Sequence, residues 1–112
     1  MKFKDHLEGD IAVFEISGRI MGGEETTLFH GRIREYINFN KIKIIIDLAK
    51  VEWINSVGIG ILISTLTTVT NAKGRLALVN IKKIENLLSV TRLITVFEHF
   101  DSRDAAIKDF SK

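Results

Sequence analysis

Along the chain, short runs of β-branched residues alternate with longer stretches whose apolar residues recur three or four positions apart. Runs of the first kind read as strands and stretches of the second as amphipathic helices. Lys2 to Leu7 predicts an edge-like strand, Glu8-Gly9-Asp10 a turn, and Ile11 to Ser17 (IAVFEIS) a stronger strand ended by Gly18. After a Met21-Gly22-Gly23 loop, Glu24-Glu25 suits the first turn of a helix carrying Leu28, Phe29, Ile33, Tyr36 and Ile37, which Asn38 to Asn40 stop. Ile42 to Asp47 (IKIIID) reads as a strand buried on both faces, since near-continuous isoleucine marks a central parallel strand.

A second helix is expected to bury Ile59, Leu62, Ile63, Leu66 and Val69, with Lys73 in its last turn and Gly74 just past its end. Leu76 to Val79 predicts another buried strand, Ile84, Leu87 and Leu88 a third helix, and Thr95 to Phe97 a last short strand. Asp101 or Ser102 then caps a terminal helix that buries Ala105, Ala106 and Phe110. The order β-β-α-β-α-β-α-β-α predicts an α/β domain, a mixed sheet of about four or five strands with about four helices. Residues 1–112 contain no visible boundary, repeat or low-complexity segment, so one domain is expected.

The junction after the isoleucine run draws attention to Asp47 to Gly60, DLAKVEWINSVGIG. It puts Ser56, between Asn55 and Val57-Gly58, where a buried strand gives way to a helix. Two readings are open. Ser56 or Asn55 is an N-cap worth roughly 1 kcal/mol, and nothing more. Alternatively Ser56 accepts a phosphate, which the helix dipole and the unpaired first-turn amides would favour. Gly58 and Gly60 cost the helix about 1 kcal/mol each against alanine, so close packing or the approach of a partner must compensate.

Composition narrows the chemistry. The 112 residues carry 16 basic and 14 acidic side chains, a net +2, with no dense basic stripe of the kind that binds nucleic acid. Without cysteine there is neither a disulfide nor a thiolate metal site, and His6, His30 and His99 show no ligand spacing. The N-terminus lacks the apolar region of a signal peptide, and the longest apolar segment, Ile59 to Leu66, is too short to span a bilayer. A cytoplasmic protein is the expectation.

Enzyme motifs are missing. Gly58-Ile59-Gly60 has Ile63 where a dinucleotide fingerprint needs its third glycine, no P-loop occurs, and Ser56 is not in G-x-S-x-G. A nucleotide hydrolase would lack a base, a metal cluster and a phosphate loop. Asp47, expected at the end of its strand, reads either as a catalytic group or, more simply, as a carboxylate that ties down the next loop. Trp53 is either a partner anchor or packs against a neighbouring helix. Gly22-Gly23 reads as a hinge or partner-contact loop, and Lys82-Lys83 as a solvated face.

The order of elements and the Asp47–Gly60 motif resemble the STAS domain family, and within it the bacterial anti-sigma factor antagonists. The family pattern D-L-[ST]-x-V-x-x-[hydrophobic]-D-S-[small]-G-[hydrophobic]-G is met here by Asp47-Leu48, Val51, Ile54, Ser56, Gly58 and Gly60. Gly18, Gly74, Phe97, Asp101-Ser102 and Asp104-Ala105 match further on. Asn55 stands where the family usually has Asp, Val57 where a small residue is common, and Met21 where many members have Asp. The two missing acids bear on which kinase recognises the site.

The resemblance implies that Ser56 is phosphorylated by a cognate anti-sigma factor, a serine kinase of the GHKL type. ATP and Mg²⁺ would belong to that kinase, leaving this chain with no cofactor and no catalytic residue. It further implies that the unphosphorylated protein binds the kinase and so releases a sigma factor for transcription, that phosphorylation ends this binding, and that a PP2C-type phosphatase resets it. Partner contacts are then expected at Asn55, Ser56, Val57 and Gly58, with Met21, Gly22, Gly23 and Trp53 around them. The alternative is a STAS module without the switch, serving as a scaffold or transporter-associated regulator. Direct nucleic-acid contact and membrane insertion are not expected in either case.

Overall fold

Ile44, Ile45 and Ile46, none of them exposed, form the centre of the sheet. The computed structural model describes residues 1–112. It contains strands β1 (Lys2–Glu8), β2 (Ile11–Ile20), β3 (Lys43–Ile54), β4 (Arg75–Val79) and β5 (Glu98–Phe100). The helices are α1 (Glu24–Asn38), α2 (Ser56–Asn71), α3 (Glu85–Val90) and α4 (Arg103–Phe110). The strands lie in the order β1-β2-β3-β4-β5. β1 is antiparallel to β2, and every other neighbouring pair is parallel. Both faces of the sheet are covered, which is why its inner strands are almost continuously apolar. Ile44 and Ile46 share a core with residues of α1, α2 and α3, while Ile45 packs on the other face with Ala106 and Phe110 of α4.

The expected element order holds, and four boundaries move. β2 does not end at Gly18. It bulges there, with Gly18 at φ +82° and register shifts on either side, and continues to Ile20. A glycine supplies that positive φ without strain. β3 runs on past Asp47 to Ile54. β4 stops pairing at the Asp47–Val79 rung, and β3 continues against β2 alone. That extension is wet on one side, so Lys50 and Glu52 interrupt its apolar pattern. The last strand is Glu98–Phe100 rather than Thr95–Phe97, and Leu93–Thr95 form a 3-10 turn. β5 is a three-residue edge strand whose Glu98 pairs with Arg75 across the sheet, so its sequence is polar. At the end of α2 the left-handed residue is Lys73, not Gly74. The amides of Lys73 and Gly74 donate to the carbonyls of Thr70 and Val69, each at 2.9 Å, closing a Schellman turn. Gly74 is needed for space, because a Cβ there would collide with the Ile42 carbonyl.

Some expected core positions face outward. Leu28 of α1 and Ile63 of α2 are exposed, as is Ala105 of α4. On α2 the buried set is Gly58, Ile59, Ile61, Leu62, Thr65 and Val69. With isoleucine at 59, 61 and 63, periodicity leaves the phase of the helix open. Close approach at Gly58 sets it. Thr65 is tolerated inside because its hydroxyl donates to the Ile61 carbonyl at 2.8 Å.

Candidate functional site

The ends of β2 and β3 and the start of α2 meet around one tight contact. Ile20 and Ile54 are the last paired residues of the two strands, and both are buried. The Asn55 amide donates to the Ile20 carbonyl at 3.4 Å, and Asn55 itself is extended (φ −110°, ψ −173°). Its Oδ1 accepts from the Gly58 amide at 2.9 Å, and its carbonyl accepts from the Ile59 amide at 2.9 Å. Asn55 is therefore the N-cap. Ser56 is the first helical residue, exposed, with no intrachain hydrogen bond at its hydroxyl. By helix geometry the amides of the first turn have no intrahelical acceptor, and no acidic residue stands in the first turn of α2. The turn thus presents a free hydroxyl at the positive end of a 16-residue helix.

Gly58, one of the expected partner contacts, is packed inside the molecule. It is buried, and a Cβ there would collide with the Ile20 carbonyl and lie 2.5 Å from Ile54 Cγ1. Its lack of a side chain lets α2 press against the end of β2. Gly60 has no such role, being exposed with open space around it.

The Met21–Gly23 loop leaves β2 beside this turn. Gly22 (φ +98°) and Gly23 (φ +112°) take conformations that disfavour side chains, and a Cβ on Gly22 would lie 3.2 Å from Val57 Cγ1. The loop therefore packs on the first turn of α2. Met21 is 48% exposed, Val57 54% and Trp53 50%, so three large apolar side chains lie open at this end of the molecule. Trp53 is half-exposed. It sits on the two-stranded extension, paired with Arg19, and a hollow lined by Arg19, Glu52 and Trp53 opens there.

Asp47 lies within β3, at the point where β4 ends, and is only 5% exposed. Its Oδ1 accepts from the Ala49 amide at 3.0 Å and from Asn80 Nδ2 at 2.9 Å, and its Oδ2 from Arg103 Nη2 at 2.8 Å. Arg103 also reaches Glu15, which in turn pairs with Lys50 at 3.1 Å. Burial by itself raises the pKa of Asp47, but the bonds from Asn80, Ala49 and Arg103 outweigh it and hold the carboxyl below its usual range. A carboxylate so engaged ties α4 and the end of β4 to β3, and is a poor general base. This network joins residues up to 88 positions apart, with no local period to announce it. Arg19 and Arg103 are the site neighbours that the sequence reading missed. No group of three or more His, Asp or Glu is placed to hold a metal, and no helix is long and apolar enough to cross a membrane.

Comparison with known proteins agrees with this frame. The sequence model of the STAS domain matches residues 4–106. A Thermotoga neapolitana protein assigned as an anti-sigma factor antagonist, a TM1081 homologue, is 30% identical over 76 residues, 67% of each chain. The crystal structure of TM1081 from Thermotoga maritima, bearing the same assignment, superposes with a TM-score of 0.81 at 23% identity, over 98% of this chain and 95% of that one. Bacillus SpoIIAA in its phosphorylated form superposes with a TM-score of 0.75 at 15% identity, over 96% and 98% of the two chains.

Proposed function

The chain belongs to the STAS domain family and to its anti-sigma factor antagonists, and from that premise we propose that it is a partner-switching protein controlled by phosphorylation of Ser56. In the unphosphorylated state it binds a GHKL-type anti-sigma kinase through the surface around Ser56, which releases a sigma factor. Transfer of phosphate from the kinase's ATP to Ser56 Oγ ends that binding, and a PP2C-type phosphatase restores it. The chain acts in the cytoplasm as substrate and ligand, not as a catalyst.

The observation that carries this reading is the division of labour between Asn55 and Ser56. Asn55 caps the helix, so the Ser56 hydroxyl is exposed and unoccupied. Phosphate added there would be stabilised by the helix dipole and would leave the cap and core intact. Its charge of about −2 would fall beside Met21, Val57 and Trp53, and desolvating it against an apolar partner surface would be costly. Binding is thus lost without unfolding. Gly22 and Gly23 shape the loop that carries Met21, while Val57 and Trp53 supply contact area.

Intact-mass measurement of the protein from its native cell, with fragmentation to locate the site, tests the reading. One added phosphate on Ser56, absent from a Ser56→Ala variant, is expected. A stable native complex whose protein never carries phosphate and is indifferent to Ser56 substitutions would instead indicate the non-switching scaffold.

A further inference from the structure

Ala49 in the middle of β3 and the residues at the carboxyl ends of β4 and β5 border a cleft of about 490 Å³ whose walls include none of the residues around Ser56. That volume lies within the range of small-molecule sites. Ala49, Ile81 and Phe100 supply its apolar surface. Lys82 and Lys83, on the segment between β4 and α3, and His99 of β5 bring basic groups to it, and Glu85 and Asp101 bring carboxylates.

Two features set out how the cleft presents its basic groups. The bend leading to the lysines is fixed: Asn80 holds φ +58°, its amide donates to the Phe100 carbonyl at 3.4 Å, and its side chain donates to the buried Asp47. The two lysines are also free of ion pairs. The ion-paired lysines of this chain are Lys43, Lys50 and Lys112, and neither Lys82 nor Lys83 has a carboxylate within salt-bridge distance.

We propose that this cleft binds a small phosphate monoester whose body carries hydroxyl or amino groups. Lysine ammonium groups serve as point charges for a phosphate. Glu85 and Asp101 accept hydrogen bonds from the donors of the body, and Phe100 and Ile81 cover its apolar face. A bare anion would meet the two carboxylates with nothing to offer them, and a neutral polyol would leave the lysines unpaired. The inference is independent of the reading of Ser56.

Titration of the full chain with ribose 5-phosphate, followed by ¹H–¹⁵N NMR, tests it, with inorganic phosphate, ribose and sodium chloride of matched ionic strength as separate arms. Saturable shifts are expected at the amides of Asn80 to Lys83 and His99 to Asp101. Inorganic phosphate should bind less tightly, and ribose and chloride should give no saturable response. Lys82→Ala/Lys83→Ala should weaken binding by ~10-fold or more and leave thermal unfolding of the free protein unchanged. Should that variant fail to fold, Asp101→Asn should weaken ribose 5-phosphate binding but not that of inorganic phosphate. No saturable response, equal binding of inorganic phosphate, a saturable response to ribose or chloride, or binding that survives these substitutions would overturn the proposal.

Discussion

Asn55 and Ser56 show how adjacent residues at a helix start can take separate roles. The Asn55 side chain holds the Gly58 amide, whereas the Ser56 side chain holds nothing within the chain. Asn55→Ala should therefore cost about 1 kcal/mol of stability, while Ser56→Ala should change it by less than about 0.5 kcal/mol. Urea unfolding measures both, and a larger loss for Ser56→Ala would make the serine the cap. The two glycines that follow differ in the same way. Gly58→Ala drives a methyl group into the Ile20 carbonyl, so steric strain exceeds the gain in helix propensity, and a net loss of about 2 kcal/mol is expected. Gly60→Ala meets open space and should stabilise the protein by up to about 1 kcal/mol. The family pattern treats the two glycines alike, but only Gly58 is required here by the packing of α2.

Among the elements, the joint between β3, the end of β4 and α4 is the one built from charge. Hydrogen bonding to Lys50 and Arg103 lowers the pKa of Glu15 against the opposing effect of burial, and Asp47 is held low as described. Because both carboxyls bind protons less readily when folded, the unfolded chain takes protons up first as pH falls. Their contribution is complete above the ordinary values, 3.8 for Asp47 and 4.5 for Glu15, and is lost as pH drops below them. Burial likewise lowers the pKa of His30, so its contribution begins to be lost nearer 6.5. Asp47→Asn should lower stability at neutral pH and flatten the acid limb below about pH 4, read from urea midpoints across a pH series. An acid limb identical to that of the wild type would remove Asp47 from this account.

The same joint marks where the sequence stopped being legible. Elements with a full apolar signature, such as the unbroken Ile44–Ile46 run and the periodic inner face of α1, stand out in the sequence. The Arg103–Asp47–Glu15 contacts do not, because ion pairing between distant segments leaves no periodic trace. The β3 extension was hidden for a related reason: a ribbon wet on one side alternates polar residues into a strand and so resembles a turn. The Ser56 position was readable from the strand-to-helix junction. The burial of Gly58 and the contact of Gly22 with Val57 depend on how β2 ends, which no local pattern records.

At the scale of the whole molecule, α1, α2 and α3 share one core and α4 closes the other face of the sheet. Ser56, Met21, Val57 and Trp53 lie outside both cores and are exposed. A charge introduced at Ser56 should therefore leave the fold and its stability nearly unchanged and act on association. The most direct test is the affinity of the proposed partner, an anti-sigma kinase from the same cell, for the wild-type protein and for Ser56→Asp, measured by calorimetry without ATP. Binding at least ~10-fold weaker for Ser56→Asp, a loss of about 1.4 kcal/mol, with the thermal unfolding midpoint unchanged, is the predicted result. Equal affinity of the two proteins would contradict the switch.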